Sequence, residues 1–305
     1  IKKASTISSS GTERPLISSA AVSPETGKKR AMGSELVRVM EPGRVYVEYG
    51  PVAMMIAAYG KDAPMTELCT EAVTVVRRAL EEVTAQLPEL RKPPVEVRAE
   101  RLSGIPANML RAVLAVDEPT LTPMAAVAGA TADAVADFLQ ENGAEIAISN
   151  NGGDVALRLS PGRTVRLRTV RNLTTGETSE PVLLRAEQGI GGICTSGLGG
   201  RSFTRGVADS LTVFAGRAAL ADALATHLAN CSYIDSPRVA ATLAGNLDPQ
   251  SDIAALRVVT AVDTLLPEEL LQSREQVLRE AGRQRTAGNR FRAEANIQGF
   301  CFSFP

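Results

Sequence analysis

The sequence predicts an α+β fold: largely antiparallel sheets with helices packed on them. Three observations lead there. Short alternating apolar runs recur as hairpin-like pairs around turn residues, as in Val45, Val47 and Tyr49 ahead of Gly50-Pro51. Helical spacing is confined to a few separated stretches, without the regular strand–helix alternation of a doubly wound parallel sheet. The glycines of Gly189-Ile-Gly191-Gly192 are not a dinucleotide fingerprint, because the third glycine is missing and a strand-like segment follows; no Walker motif is present.

Taken in order, residues 1–31 are rich in Ser, Thr, Lys and Gly and lack either period, which predicts a flexible leader or an appended extension. Strands are predicted from Arg44 and over 52–58. A helix opens at Pro64 and carries Leu68, Ala72, Val75, Val76, Ala79, Leu80 and Val83. Pro93-Pro94 breaks it, and 95–101 and 109–116 read as strands. Residues 125–140 form a helix of small residues, closed by Asn142-Gly143, whose alanines predict close packing. Strands at 145–149 and 155–159 flank a tight Asn-Gly-Gly turn needing left-handed backbone, and 165–170 is expected to continue their sheet. A strand at 211–214 precedes a helix at 217–230. Ser236-Pro237 is expected to cap a short helix, 256–261 to form a strand, and 267–280 a last helix ending near Gly282. The segment 288–305 has four phenylalanines and no clear period.

At 305 residues, 44% hydrophobic and 22% charged, the chain can bury a substantial core in one large domain or two modest ones. A net charge of −1, 4% aromatic content and no Trp give no reason to expect nucleic acid. Cys69, Cys194, Cys231 and Cys301 lack metal or disulfide spacing, and one histidine rules out a multi-imidazole zinc site within a subunit. No apolar run is long enough to span a membrane, and no basic-then-apolar signal opens the chain, so a reducing, cytoplasmic setting is expected. Association into a homo-oligomer stays open.

The chemistry concentrates between residues 189 and 226. Gly189-Ile-Gly-Gly-Ile-Cys-Thr-Ser-Gly-Leu-Gly-Gly200 is dense enough in glycine to leave amides free around an anion. Asp222 and Thr226 lie four apart in a helical pattern, a carboxylate and a hydroxyl on one face that suit magnesium beside a phosphorylated ligand. Thr195, Ser196 and Gly197 could bond a phosphate, or could belong to a plain surface hairpin. Arg201 and Arg205 could clamp phosphate or be solvated loop charges. Asn151, Gly152, Gly153 and Asp154 could line a site, although turn chemistry alone explains them. Cys194 could be a nucleophile or sulfur carrier if a nearby cation lowered its pKa, and a buried inert thiol otherwise. His227 points one position off the Asp222–Thr226 face, which favours a structural role.

The ordered set Thr122-Pro-Met-Ala-Ala-Val-Ala-Gly129, Asn150-Asn-Gly-Gly-Asp154, Thr195-Ser-Gly197 and Ala221-Asp-Ala-Leu-Ala-Thr226 resembles the ApbE-like superfamily. That superfamily includes flavin transferases, which attach FMN from FAD to a protein threonine using magnesium. The resemblance covers about residues 120–230, and Asp248-Pro-Gln-Ser-Asp252 is similar to the short cytoplasmic branch associated with sulfide assimilation into homocysteine in anaerobes. It implies a T-fold-like architecture, with residues 32–285 as the ApbE-like α+β domain and 286–305 as an unassigned tail. It also implies magnesium held by Asp222, Thr226 and the carbonyl of Ala128. Asn151, Gly152, Gly153 and Asp154 would line a pocket for FAD, FMN or a similar nucleotide diphosphate, and Thr195, Ser196 and Gly197 would face the diphosphate. Cys194 would be a candidate sulfur carrier. The chain departs from the transferases twice: Gly-Gly-Arg-Ser-Phe-Thr-Arg-Gly206 stands where they have His-x-x-Asp-Pro-x-x-Gly, and Gly129-Ala130 where they have Lys-Gly. Two alternatives accompany flavin binding: an FMN transferase with an altered site, and a non-catalytic binding member.

Overall fold

Alternating burial along the chain builds one large antiparallel sheet. The computed structural model describes residues 16–18, 35–61 and 63–305. After β1 (Leu16–Ser18) come β2 (Glu35–Glu41), β3 (Arg44–Tyr49) and β4 (Val52–Tyr59), a meander with Val45, Val47, Met54 and Ile56 fully buried on one face. Helices α1 (Thr66–Glu71), α2 (Val73–Ala85), α3 (Leu87–Leu90), α4 (Gly104–Val116) and α5 (Val127–Glu141) follow. The chain then returns through β5 (Ile146–Asn151) and β6 (Asp154–Leu159) to β7 (Thr164–Arg168), β8 (Val170–Asn172), β9 (Glu177–Thr178) and β10 (Val182–Arg185). It closes with β11 (Gly192–Ser196), β12 (Ser210–Ala215), α6 (Ala218–Asn230), β13 (Val239–Leu243), α7 (Ala244–Leu247), β14 (Arg257–Val262), α8 (Pro267–Thr286), β15 (Phe291–Ile297) and β16 (Phe300–Phe304).

Nine strands order as β16-β15-β12-β11-β6-β5-β4-β3-β2, and every pairing is antiparallel. Helices α2, α4, α5 and α6 cover one face. Val165, Leu167 and Leu184 of β7 and β10 cover part of the other, over Val155, Leu157, Ile193 and Phe214. The predicted α+β class is the class observed.

Several predicted elements are corrected. Residues 109–116 lie in α4, not a strand; a continuous apolar run looks the same as a buried helix, and here Ile105, Met109, Val113 and Val116 are buried at helical spacing. Residues 95–101 hold two short 3-10 turns. β7 does not continue the sheet of β5 and β6 but pairs with β1 and β10 in a separate three-stranded sheet. Ser236 serves a turn into β13, accepting the Arg238 amide at 3.1 Å and donating to Glu269 at 2.6 Å. The last helix runs past Gly282 because Gln284, fully buried, donates to the Val116 carbonyl at 2.7 Å and ties α8 to the end of α4. The unassigned phenylalanine-rich segment supplies β15 and β16. Most of the 1–31 leader lies outside the described residues; Leu16–Ser18 pairs parallel with β7.

Glu280 of α8 clasps α6. Its Oε1 meets His227 Nε2 at 2.7 Å, Gln284 Nε2 at 2.9 Å and Arg283 Nη2 at 2.8 Å. Burial raises the Glu280 pKa, but the bonds from Arg283, Gln284 and His227 outweigh it and bring it down to about 2. Its contribution is therefore complete above the ordinary value of 4.5 and is lost as pH falls toward 2. Glu280→Gln is expected to cost about 2 kcal/mol near neutral pH, discounted for the part of the side chain that still meets water. Thermal melts at neutral pH and at about pH 2.5 check it: the gap from the unaltered protein narrows to about a quarter in acid, and an equal gap at both would refute the linkage.

Candidate functional site

The site lies at the end of the sheet where β5 turns into β6 and α5 begins. Gly152 and Gly153 adopt φ of 68° and 117°, the left-handed conformations that the turn requires. The Gly153 amide donates to Asn150 Oδ1 at 2.9 Å. Asn151 and Asp154 flank the turn on the side that faces the helices, and Asn151 Nδ2 donates to the Ala128 carbonyl at 3.3 Å.

Helices α5 and α6 cap one another. The residues preceding them, Ala126 and Arg217, make no side-chain cap. Instead Asp222 of α6 accepts the Gly129 amide at 2.9 Å, with the Ala128 amide also directed to it, at the start of α5. Asp133 of α5 accepts the Ala218 and Ala219 amides at 3.1 and 2.9 Å at the start of α6. Each carboxylate satisfies orphan amides at the positive end of its neighbour. Gly129 permits the approach: a Cβ there would fall 2.3 Å from the Ala218 carbonyl oxygen.

This packing crowds acids. Burial, opposed by the Cys194 thiol, the Thr195 amide and the Arg201 charge, raises Asp154 to about 6. Burial and then the charge of Asp154 raise Asp222 well above the carboxylate range, against the pull of the Gly129 and Ala128 amides. Both side chains nevertheless belong to half-buried residues. Cys194 is fully buried between them and donates to the Ala218 carbonyl at 3.3 Å; burial first, then the charges of Asp154, Asp222 and Asp133, hold its thiol far above the ordinary value. A sulfur carrier needs a thiolate and access; the Cys194 thiol is buried and pushed up.

The glycine stretch is also corrected. The amides of Gly189, Gly191, Leu198 and Gly200 already donate to carbonyls, so they are not free around an anion. Gly192 is glycine because β11 runs against the start of α6, where a Cβ would fall 2.3 Å from the Ala218 backbone; a Cβ on Gly191 would fall 2.3 Å from the Gly216 carbonyl oxygen. Gly197 packs on the Ala208 and Asp209 carbonyls, and Thr195 Oγ1 pairs with Thr212 Oγ1 at 2.8 Å. Ser196 is half-buried at the end of β11. Arg201 is exposed, donates to the Pro51 carbonyl at 2.9 Å, and lies so close over Gly152 that a Cβ there would meet its Nη1 at 2.6 Å. Arg205 is not beside it. Its amide donates to Asn230 Oδ1 and its Nη1 to Thr120 Oγ1, both at 2.9 Å, toward the far end of α6.

Asp154, Asn151, Asp222, Ala128, Cys194 and Arg201 are therefore gathered at the turn, with Thr226 one helical turn beyond Asp222. The ion network that holds them was missed in the sequence. Arg158 Nη2 meets Asp133 at 2.7 Å and its Nε meets Asp137 at 2.7 Å, while Arg217 Nη2 closes on Asp137 at 2.6 Å. Asp133 and Asp137, four apart in an alanine-rich helix, were the available signal. Among the described residues, no three of His, Cys, Asp and Glu group as a metal site, and no helix is long and apolar enough to cross a membrane.

A family model described as AbpE bacteria matches residues 37–299. The UPF0280 protein of Methanopyrus kandleri is 36% identical over 174 residues, 56% of this chain and 67% of that protein. The UPF0280 protein of Methanococcoides burtonii is 34% identical over 187 residues, 59% of this chain and 74% of that protein. The UPF0280 protein of Methanococcus maripaludis strain C7 is 40% identical over 109 residues, 35% of this chain; the chain spans only 44% of that relative. Among solved structures, flavin transferase ApbE from Vibrio cholerae aligns with a TM-score of 0.40 and 14% identity, over 89% of this chain and 96% of that one.

Proposed function

We propose, for a chain that belongs to the AbpE bacteria family and with its UPF0280 relatives to the ApbE-like superfamily, that the junction of α5, α6 and the β5–β6 turn binds a flavin nucleotide or similar diphosphate together with magnesium. The observation that carries this is the convergence of Asp154 and Asp222, from unconnected elements, beside the exposed guanidinium of Arg201.

Asp154 and Asp222 crowd one another, and with the nearby glycine amides occupied only Arg201 offers positive charge to a diphosphate beside them, so something more must bring acids and phosphates together. A divalent cation does, because it relieves the crowding of the acids and presents positive charge to the ligand. The donor set suits magnesium: the Asp222 carboxylate, the Thr226 hydroxyl and the Ala128 carbonyl are hard oxygens, and the Coulombic elevation of Asp222 is what a cation would reverse. When bound, the metal would neutralise phosphate charge. Asn151 would orient the Ala128 carbonyl, the Gly152–Gly153 turn would allow close approach, and Arg201 would exchange the Pro51 carbonyl for a phosphate oxygen. Thr195, Ser196 and Gly197 shape the wall beyond Asp154.

FMN transfer is the less supported reading. The segment of residues 199–206 has no histidine, and His227 is buried against Glu280. A part in sulfur assimilation would run through the bound ligand, because the Cys194 thiol is fully buried.

Calorimetric titration with FAD, with and without magnesium, tests the proposal. Magnesium is expected to tighten FAD binding, and Asp222→Asn, which keeps an acceptor for the Gly129 amide, is expected to weaken the magnesium-dependent affinity at least about tenfold. Equal affinity with magnesium and with a chelator would sink the cation-bridged site.

A further inference from the structure

We propose that two copies of this chain form a two-fold dimer by pairing β16 antiparallel with β16 of the second copy, which joins their sheets into one. The inference does not depend on the ligand. Strands β2 and β16 are the two edges of the nine-stranded sheet, and among the described residues neither has a strand on its outer side. An open edge presents a row of backbone donors and acceptors, which natural proteins block with charges, bulges or proline. β2 is blocked in all three ways. It carries Glu35, Arg38 and Glu41, its register shifts between Val39 and Glu41, and Pro42 follows it. Paired antiparallel with itself over its length, β2 would also set Arg38 against Arg38 and Glu35 against Glu41. Its exposed Val37 and Val39 do not outweigh that.

β16 has none of these devices. Phe300–Phe304 holds no charge, and its five residues pair with β15 without a register shift. Gln298 and Gly299, at φ of 50° and 85°, form the left-handed pair of a tight hairpin turn, which fixes the strand against β15. Phe302 and Phe304 lie under α8 with Val277, Leu278 and Ala281. By alternation Phe300 shares that face, and the exposed Cys301 and Ser303 take the other. A two-fold axis through Phe302 opposes Phe300 to Phe304 of the second copy and Cys301 to its Ser303. Aromatic residues then meet aromatic residues, and no charge meets its like.

Five paired residues are a small contact beside the roughly 1,000 Å² that a specific interface buries. Helix α8 extends it. Because α8 lies over β15 and β16, the two copies of α8 would run side by side, two to three strand spacings or about 10–14 Å apart. Leu278 lines the apolar groove with Phe302, and Leu271, two turns earlier on the same side of the helix, is 49% exposed. Both would face the second copy.

Sedimentation equilibrium is expected to give twice the 32.1 kDa of one chain. Cys301→Arg together with Ser303→Arg changes two exposed positions, leaves the core alone and sets like charges opposite one another; it is expected to give a monomer. Ser303→Cys tests the register. Opposed residues of an antiparallel pair have Cα atoms about 4.5–5.5 Å apart, within disulfide reach. Mild oxidation should therefore link the introduced thiol to Cys301 of the second copy as a covalent dimer, and adding Cys301→Ser should abolish it. A monomer at every concentration overturns the proposal. So does a mass that keeps climbing with concentration, the sign of open pairing between β2 and β16, or a dimer that survives the double arginine substitution. Absence of the crosslink overturns the two-fold register, and it decides alone if the double variant does not fold.

Discussion

Asp133→Ala is expected to lower the melting temperature by about 10 °C, corresponding to a loss of about 3–5 kcal/mol. Asp133 is 2% exposed and does three things at once. It caps α6 through the Ala218 and Ala219 amides, pairs with Arg158 at 2.7 Å, and meets Arg217 Nε at 3.4 Å. Arg158 is itself largely enclosed, with 10% of its side chain exposed, so removal of Asp133 leaves a buried guanidinium with only Asp137 to balance it and two amides without an acceptor. Asp137, 31% exposed at the other side of the network, is the internal comparison. Burial raises its pKa, but Arg217 and Arg158 outweigh that and hold it below the usual range. Because Arg158 and Arg217 would keep Asp133, Asp137→Ala is expected to cost less than half as much. Circular-dichroism melts of both variants decide; equal losses would mean that the capping bonds add nothing to the ion pairs.

Gly129→Ala is expected to destabilise the protein by about 1–3 kcal/mol or more and to impair magnesium-dependent FAD binding as well. In an ordinary helix the same change gains about 1 kcal/mol. Here the added Cβ would lie 2.3 Å from the Ala218 oxygen and 2.9 Å from the Ala219 nitrogen, both backbone atoms that cannot rotate away. α5 would have to move off α6, and the Asp222–Gly129 bond, part of the proposed cation site, would move with it. Gly282, in α8 with nothing near its missing side chain, is the control: Gly282→Ala is expected to stabilise. Chemical denaturation of the two variants measures both signs. A stabilising Gly129→Ala would show that the helices have slack between them.

Strand and helix assignments succeeded where one face is buried and the period is unambiguous: β3, β4, β5, β6, β12, α5 and α6 all follow their apolar spacing. They failed at α4, where apolar residues run on too continuously for period to decide, and at Gly282, where a long-range bond from Gln284 carries the helix on. The candidate site was partly legible. Asn151, Asp154 and Asp222 could be singled out because their types and spacing are local properties. The glycines of residues 189–192 stand out for reasons other than an anion: Gly192 admits the start of α6, Gly191 the Gly216 carbonyl, and Gly189 adopts a left-handed φ of 63°.

By itself the sequence determined the fold class, the left-handed Asn-Gly-Gly turn, and the helical face shared by Asp222 and Thr226, because each depends on residues within one or two turns of one another. Only the tertiary structure decided that α5 and α6 exchange caps, that Asp154 and Asp222 crowd a buried Cys194, and that Arg201 and Arg205 part company. Those outcomes depend on contacts such as Gly129 with Asp222, 93 residues apart, and Arg201 with Pro51, 150 apart. Charge and burial at such points are set by whatever the fold brings alongside, and no local spacing encodes that.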